Sequence, residues 1–137
     1  MDLQAIIARF LDEKGQIALP PNFTIPAMTE MLYGAAVQAG QADAVNIRFW
    51  DYSESAEGET VEYTRRQVNT RIKAIAARLM QVGKPGDRVA ILAGNSPEYI
   101  LGFMAGMYAG QVPIPLYDPN EPGHEDHLRA VLYDSGA

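Results

Sequence analysis

Tyr108-Ala109-Gly110-Gln111-Val112-Pro113-Ile114-Pro115-Leu116-Tyr117-Asp118-Pro119 is the stretch that decides how this chain reads. A small-residue, apolar helix ends at Ala109-Gly110, and a short apolar strand with proline at two alternate positions follows. Upstream, Arg88-Val89-Ala90-Ile91-Leu92-Ala93 is a short, nearly continuous apolar strand. Between the two, Ser96 caps a helix with Pro97 at its first position, running to about Ala109. Strand, crossover helix and strand make a βαβ unit whose parallel strands are expected to be buried on both faces.

The crossover helix carries Gly102, Gly106 and Gly110 at i, i+4 and i+8, on one stripe. Each glycine costs on the order of 1 kcal/mol against alanine in a helix, so the stripe predicts close packing. Tyr99, Ile100, Leu101, Phe103, Met104, Met107 and Tyr108 make the rest apolar nearly all round. A helix of that kind is expected to be covered on every side.

The remainder reads outward from this unit. Thr64 opens a long helix, with Gln67 at capping-box spacing. Val68, Ile72, Ile75, Ala76, Leu79 and Val82 form one apolar face of it, and Gly83-Lys84-Pro85-Gly86-Asp87 ends it. Residues 44–52 and 59–63 alternate as a β-hairpin around the polar, acidic turn Ser53-Glu54-Ser55-Ala56-Glu57-Gly58. Thr24 to Gly40 contains a helix with Met28, Met31, Leu32, Ala35 and Val37 on its apolar side. Residues 3–12 have the spacing of a short amphipathic helix, and Ile17-Ala18-Leu19 could pair as a strand before Pro20-Pro21 stops it. A last helix is expected over about Gly123 to Tyr133, with Leu128, Val131 and Leu132 inward. The fold class is therefore α/β, with a βαβ parallel-sheet unit and a β-hairpin.

Composition bounds the function. An apolar content of 47% in 137 residues marks a globular chain long enough to bury a core. The 11 basic against 17 acidic residues disfavour nucleic-acid binding, which needs a basic surface. Without cysteine there is no disulfide framework, thiolate zinc site or thiol nucleophile. Met1-Asp2-Leu3-Gln4 lacks the basic region of a signal peptide, which fits a cytoplasmic protein. Tyr99 to Tyr117 are 19 residues without a charge, but three glycines, Gln111, Pro113 and Pro115 interrupt them. A buried helix and strand explain that run better than a membrane span.

Candidate chemistry is sparse. Gly94-Asn95-Ser96-Pro97 follows a strand and opens a helix, where anions often bind, but lacks the spaced glycines of a phosphate loop. It reads as a capped helix start. His124 and His127 stand at i, i+3 beside Glu125 and Asp126; no third strong ligand is evident, so the segment reads as a polar helix start. Glu98 and Asp87 have no partner residue for acid–base work, and Ser96 lies in no nucleophile elbow. Trp50, Tyr52 and Tyr63 read as hairpin packing rather than a binding surface. No catalytic, cofactor-binding or metal-ligating residue is assigned.

Three motifs in order carry a resemblance. Val61-Glu62-Tyr63-Thr64 before a long helix resembles the first core motif of adenylate-forming enzymes. Gly86-Asp87-Arg88-Val89-Ala90-Ile91 with Asn95-Ser96-Pro97-Glu98-Tyr99 resembles the strand and helix that come next, and Ala109-Gly110-Gln111-Val112-Pro113-Ile114-Pro115 resembles the second core motif. Tyr63, Gly110, Pro113 and Pro115 match as fold-forming positions. Pro115-Leu116-Tyr117-Asp118-Pro119, Pro122-Gly123-His124 and Leu132-Tyr133-Asp134-Ser135 look most like the fatty-acyl-AMP ligases. Asp2 to Leu32, with Leu19-Pro20-Pro21 and Met28-Thr29-Glu30-Met31, looks like the long-chain branch used in mycolic acid synthesis.

The resemblance implies that residues 1–137 are an N-terminal fragment of the large N-terminal domain of an AMP-forming ligase, an incomplete domain. The parent enzyme would join a fatty acid to ATP with Mg²⁺, release pyrophosphate, and pass the acyl group to the phosphopantetheine thiol of an acyl carrier protein on a polyketide synthase. An acyl-CoA ligase shares this architecture and is the alternative; a non-catalytic interaction domain is the alternative of another class. The family's phosphate loop, acidic residues and C-terminal lysine are not among these residues, so the chain alone is expected to be inactive and to bind no cofactor. Ending at Ala137, it would leave a sheet edge unpaired and self-associate, with the acidic net charge limiting aggregation.

Overall fold

The structure is a computed structural model that describes residues 10–120 and 122–137. In chain order its elements are α1 (Ile25–Gln38), β1 (Val45–Asp51), β2 (Glu59–Thr64), α2 (Arg65–Val82), β3 (Arg88–Leu92), α3 (Pro97–Tyr108), β4 (Val112–Leu116) and α4 (Glu125–Ser135). The α/β class, the antiparallel hairpin β1–β2 and the parallel pair β3–β4 are as the sequence predicts. Most of the predicted 3–12 helix lies outside the described residues. Its end is not helical: Leu11 bridges antiparallel to Ile17, and the Ala18 N–H donates to the Phe10 carbonyl at 2.8 Å. Ile17 thus pairs, as expected, but as an isolated bridge. Among the described residues no helix is long and apolar enough to cross a membrane.

Local chemistry explains where the helices begin and end. At α2 the Gln67 N–H donates to the Thr64 hydroxyl at 3.2 Å, and the Thr64 N–H donates to the Gln67 side-chain oxygen at 2.8 Å. Two orphan donors are thereby satisfied reciprocally. The end of α3 turns on Gly110, at φ +72°. Its N–H donates to the Met107 carbonyl at 3.1 Å, and the Gln111 N–H reaches back to the Gly106 carbonyl at 2.9 Å. Only glycine adopts that left-handed conformation without a steric penalty, which is why Ala-Gly closes the helix here.

The core lies between α2 and α3. Ile72 and Ala76 of one helix meet Leu101, Ala105 and Ala109 of the other. Of the predicted stripe, Gly102 and Gly106 face the sheet, whereas Gly110 lies past the helix end, where a Cβ would meet Pro85. A Cβ added at Gly106 would stand 3.0 Å from Val89 Cγ1 and 3.2 Å from Pro113 Cβ, and one at Gly102 3.7 Å from Ile91. Small residues therefore let α3 lie against β3–β4 on one side and α2 on the other.

Three burial expectations are corrected. The β3–β4 pair is not covered on both faces: Leu92 and Val112, on the face opposite α3, are 45% and 48% exposed. α3 is not sealed all round, since Ile100 is half exposed. Val82 belongs to the α2 stripe in sequence but is 72% exposed, because the stripe runs past the last turn that α3 covers. In α1 no residue is fully buried, and Met31 and Leu32 of its apolar side are largely exposed.

The prolines of β4 define its edges. Val112 donates its N–H to the Asp87 carbonyl at 2.8 Å, on the β3 side. With the strand's period of two, positions 113 and 115 face the opposite edge, and both are proline. That edge offers carbonyls but lacks donors at these positions, so the edge open to another strand is that of β3.

Candidate functional site

The two parallel strands end at a cleft of about 590 Å³. Such strands place their carboxyl ends together, and ligands of open α/β sheets commonly bind beyond those ends. Residues Ala93 to Ser96 leave β3 along one wall, and Tyr117 and Asp118 leave β4 along another. His127 and Val131 of α4 close over them. Pro115, Leu116, Ile100 and Val131 supply apolar lining; Asn95, Ser96, Asp118 and His127 supply polar groups.

Within this cleft the Gly94-Asn95-Ser96-Pro97 segment does open a helix, but one expectation changes. Ser96 holds the cap position with extended backbone, yet its hydroxyl makes no capping hydrogen bond. It lines the cleft instead. Asp118 Oδ1 accepts from the Asn120 backbone N–H at 2.8 Å and side-chain amide at 2.9 Å, which shapes the loop after β4. Tyr117 stacks on His124 with ring centroids 4.8 Å apart and meets His127 at 5.7 Å. The two histidines thus flank one aromatic ring. Among the described residues, no group of three or more His, Asp or Glu could hold a metal ion.

The other sequence candidates lie elsewhere. Asp87 accepts the Lys84 N–H at 2.8 Å within the turn before β3, and Glu98 is exposed in the first turn of α3. Tyr63 carries the Arg71 guanidinium 4.5 Å above its ring, and Tyr52 lies against Gly58. Trp50 is half exposed on the outer face of the hairpin, beside the 2.6 Å Arg48–Glu62 pair. None of these lines the cleft.

Sequence reasoning missed a polar knot joining three helices. Glu30 of α1 accepts from the Asn69 amide at 2.7 Å, the Lys73 ammonium at 2.6 Å and the Tyr108 hydroxyl at 3.0 Å. The available signal was Asn69, a buried amide within the Ile72–Ala76 stripe. Burial tends to raise the Glu30 pKa, but the Lys73, Asn69 and Tyr108 hydrogen bonds together hold it below the usual carboxylate value. Burial and the Glu30 carboxylate push Tyr108 up to about 12.

The signs give a pH prediction. A raised tyrosine pKa contributes stability that is present below the ordinary value of 10.0 and is lost as pH rises towards about 12. The lowered Glu30 pKa contributes stability present above its ordinary 4.5 and lost on acidification. The groups facing this site are Glu30, Lys73, Asn69, Thr29 and Tyr108. Tyr108→Phe is expected to flatten the alkaline loss of the urea midpoint; an unchanged alkaline slope would remove Tyr108 from the account.

The fold is that of an α/β N-terminal subdomain of acyl-adenylate ligases. The chain belongs to the AMP-binding enzyme family, whose profile matches residues 34–137. It is 42% identical over 118 residues to the long-chain-fatty-acid–AMP ligase FadD32 of Mycolicibacterium smegmatis, covering 86% of this chain and 18% of that protein. It superposes with a TM-score of 0.65 and 25% identity on a fatty acyl-adenylate ligase from L. pneumophila, crystallised with acyl adenylate and pyrophosphate, covering 80% of this chain and 18% of that one. The N-terminal subdomain of Klebsiella oxytoca NpsA matches with a TM-score of 0.64 and 26% identity, over 82% of this chain and 26% of that one. The chain therefore spans under a fifth of the length of the FadD32 relative.

Proposed function

We propose that these residues are the N-terminal part of the large N-terminal domain of an AMP-forming ligase that activates a long-chain fatty acid. The observation that carries this is 42% identity to a long-chain-fatty-acid–AMP ligase across 86% of the chain. In the first step a fatty carboxylate attacks the α-phosphorus of ATP; the new bond is acyl–O–P, and pyrophosphate leaves. In the second, the phosphopantetheine thiol of an acyl carrier protein attacks the acyl carbonyl, forming a thioester and releasing AMP. Such chemistry depends on positioning and on neutralising phosphate charge. The cleft offers one carboxylate and no lysine or arginine. These residues therefore do not fit ATP phosphates or Mg²⁺, and both are assigned to the remainder of a longer, cytoplasmic protein.

The longer protein, given ATP, Mg²⁺ and a labelled long-chain fatty acid, is expected to form acyl adenylate and to load holo carrier protein faster than coenzyme A. Faster acyl-CoA formation would select the coenzyme A ligase instead. The 137-residue chain alone is expected to release no pyrophosphate above background. Fatty-acid-dependent release by that chain would overturn the division of labour.

We further propose that the isolated chain self-associates through the open β3 edge and the exposed Leu92 and Val112 face, 45% and 48% accessible. Sedimentation at micromolar concentration is expected to show concentration-dependent dimer. A clean monomer throughout would refute it.

A further inference from the structure

α1 is held to the molecule differently from α2 and α3, which each bury several side chains. None of its residues is fully buried, and Ile25, Met31 and Leu32 are 50%, 61% and 60% exposed. Beneath it lies a gap of about 160 Å³, between Leu32 and Tyr33 on α1, Asn46 on β1, and Val68 and Ile72 on α2. Apolar packing therefore contributes little to holding this helix in place. Polar side chains reach across instead: Glu30 takes Asn69 and Lys73 from α2 at 2.7 and 2.6 Å and Tyr108 from α3 at 3.0 Å, and the Thr29 side chain also hydrogen-bonds Tyr108.

The carboxyl end of α1 is fastened separately. Ala39 and Gly40 follow the helix, with Gly40 at φ +70°. Just beyond, the Arg66 N–H donates to the Ala42 carbonyl at 2.9 Å, and the Arg65 guanidinium donates to the Gln41 carbonyl at 3.2 Å. A fixed anchor after the glycine and a polar attachment centred on Glu30, with Thr29 beside it on Tyr108, are the parts of a hinged strap.

We propose that α1 docks and undocks as one unit about Ala39–Gly40, with the Glu30 carboxylate as its latch. Opening uncovers the Val68–Ile72 wall of α2 and the Tyr108 hydroxyl. The device is a property of the fold and does not rest on the ligase reading. Local opening of this sort proceeds at lower free energy than global unfolding wherever buried apolar contact is scarce.

Native-state hydrogen exchange on the whole chain tests it. In the unaltered protein the interior α1 amides are expected to exchange together and faster than those of α2 around Ile72 and Ala76. Glu30→Gln removes the charge and is expected to speed α1 exchange about tenfold, roughly the difference between a hydrogen bond to a charged group and one to a neutral group, with α2 unchanged. Tyr108→Phe removes one of three donors and is expected to speed α1 exchange by a smaller factor. That milder variant keeps the test available if Glu30→Gln does not fold. Exchange of α1 at the α2 rate in the unaltered protein, or equal acceleration of both helices by the variants, would overturn the proposal. So would α1 exchange insensitive to both substitutions.

Discussion

Leu101→Ala is expected to lower the unfolding free energy by about 2–5 kcal/mol, the range for truncating a buried leucine. Leu101 is 1% exposed and is the largest fully buried side chain among the described residues. It belongs to one core cluster with Ile72, Ala76, Ala105 and Ala109. Three of those four are alanines, with no spare rotamer to swing into the space left behind. The cavity should therefore persist, placing the effect towards the upper part of the range. Urea denaturation measures it. A midpoint shift worth less than about 1 kcal/mol would mean that α2 and α3 slide together and close the gap.

Gly106→Leu is expected to be nearly as damaging, for the opposite reason. Helix propensity alone favours the change by somewhat under 1 kcal/mol. Sterics oppose it: the first added carbon already meets Val89 Cγ1 at 3.0 Å and Pro113 Cβ at 3.2 Å. Both belong to the strands beneath α3, and Pro113 cannot move independently of its ring-locked backbone. Overpacking of this kind typically costs about 1–3 kcal/mol. Gly106→Ala is the discriminating companion, because propensity gain and contact then nearly offset each other. An unchanged denaturant midpoint for Gly106→Leu would show that α3 shifts freely off the sheet.

Signals confined to a few consecutive residues were the most legible in the sequence. Thr64 and Gln67 announced a reciprocal cap, and that cap is present. Ala109-Gly110 announced a helix end, and Gly110 adopts the left-handed conformation that ends it. The spacing of Gly102 and Gly106 announced close packing, and Ile91, Val89 and Pro113 lie against them. Ser96 was a local inference that missed. Its position at the cap followed from Pro97, but whether its hydroxyl turns to the helix or to the cleft depends on backbone placement across the β3–α3 loop.

The order of elements, the hairpin alternation, the parallel βαβ unit and the motif set of the adenylate-forming enzymes are legible in the residues alone. These follow from backbone dihedral preference, capping and periodicity, all of which act over a few residues. Which apolar stripes find cover depends on packing between distant elements. Val82 continues a stripe that α3 does not reach, and Leu92 and Val112 lie on a sheet face left partly open. Only the tertiary structure also brought Glu30 to Asn69 and Tyr108, 39 and 78 positions away in sequence. Burial and long-range hydrogen bonds depend on where distant elements come to rest, and a pattern read along one element carries no information about its neighbour.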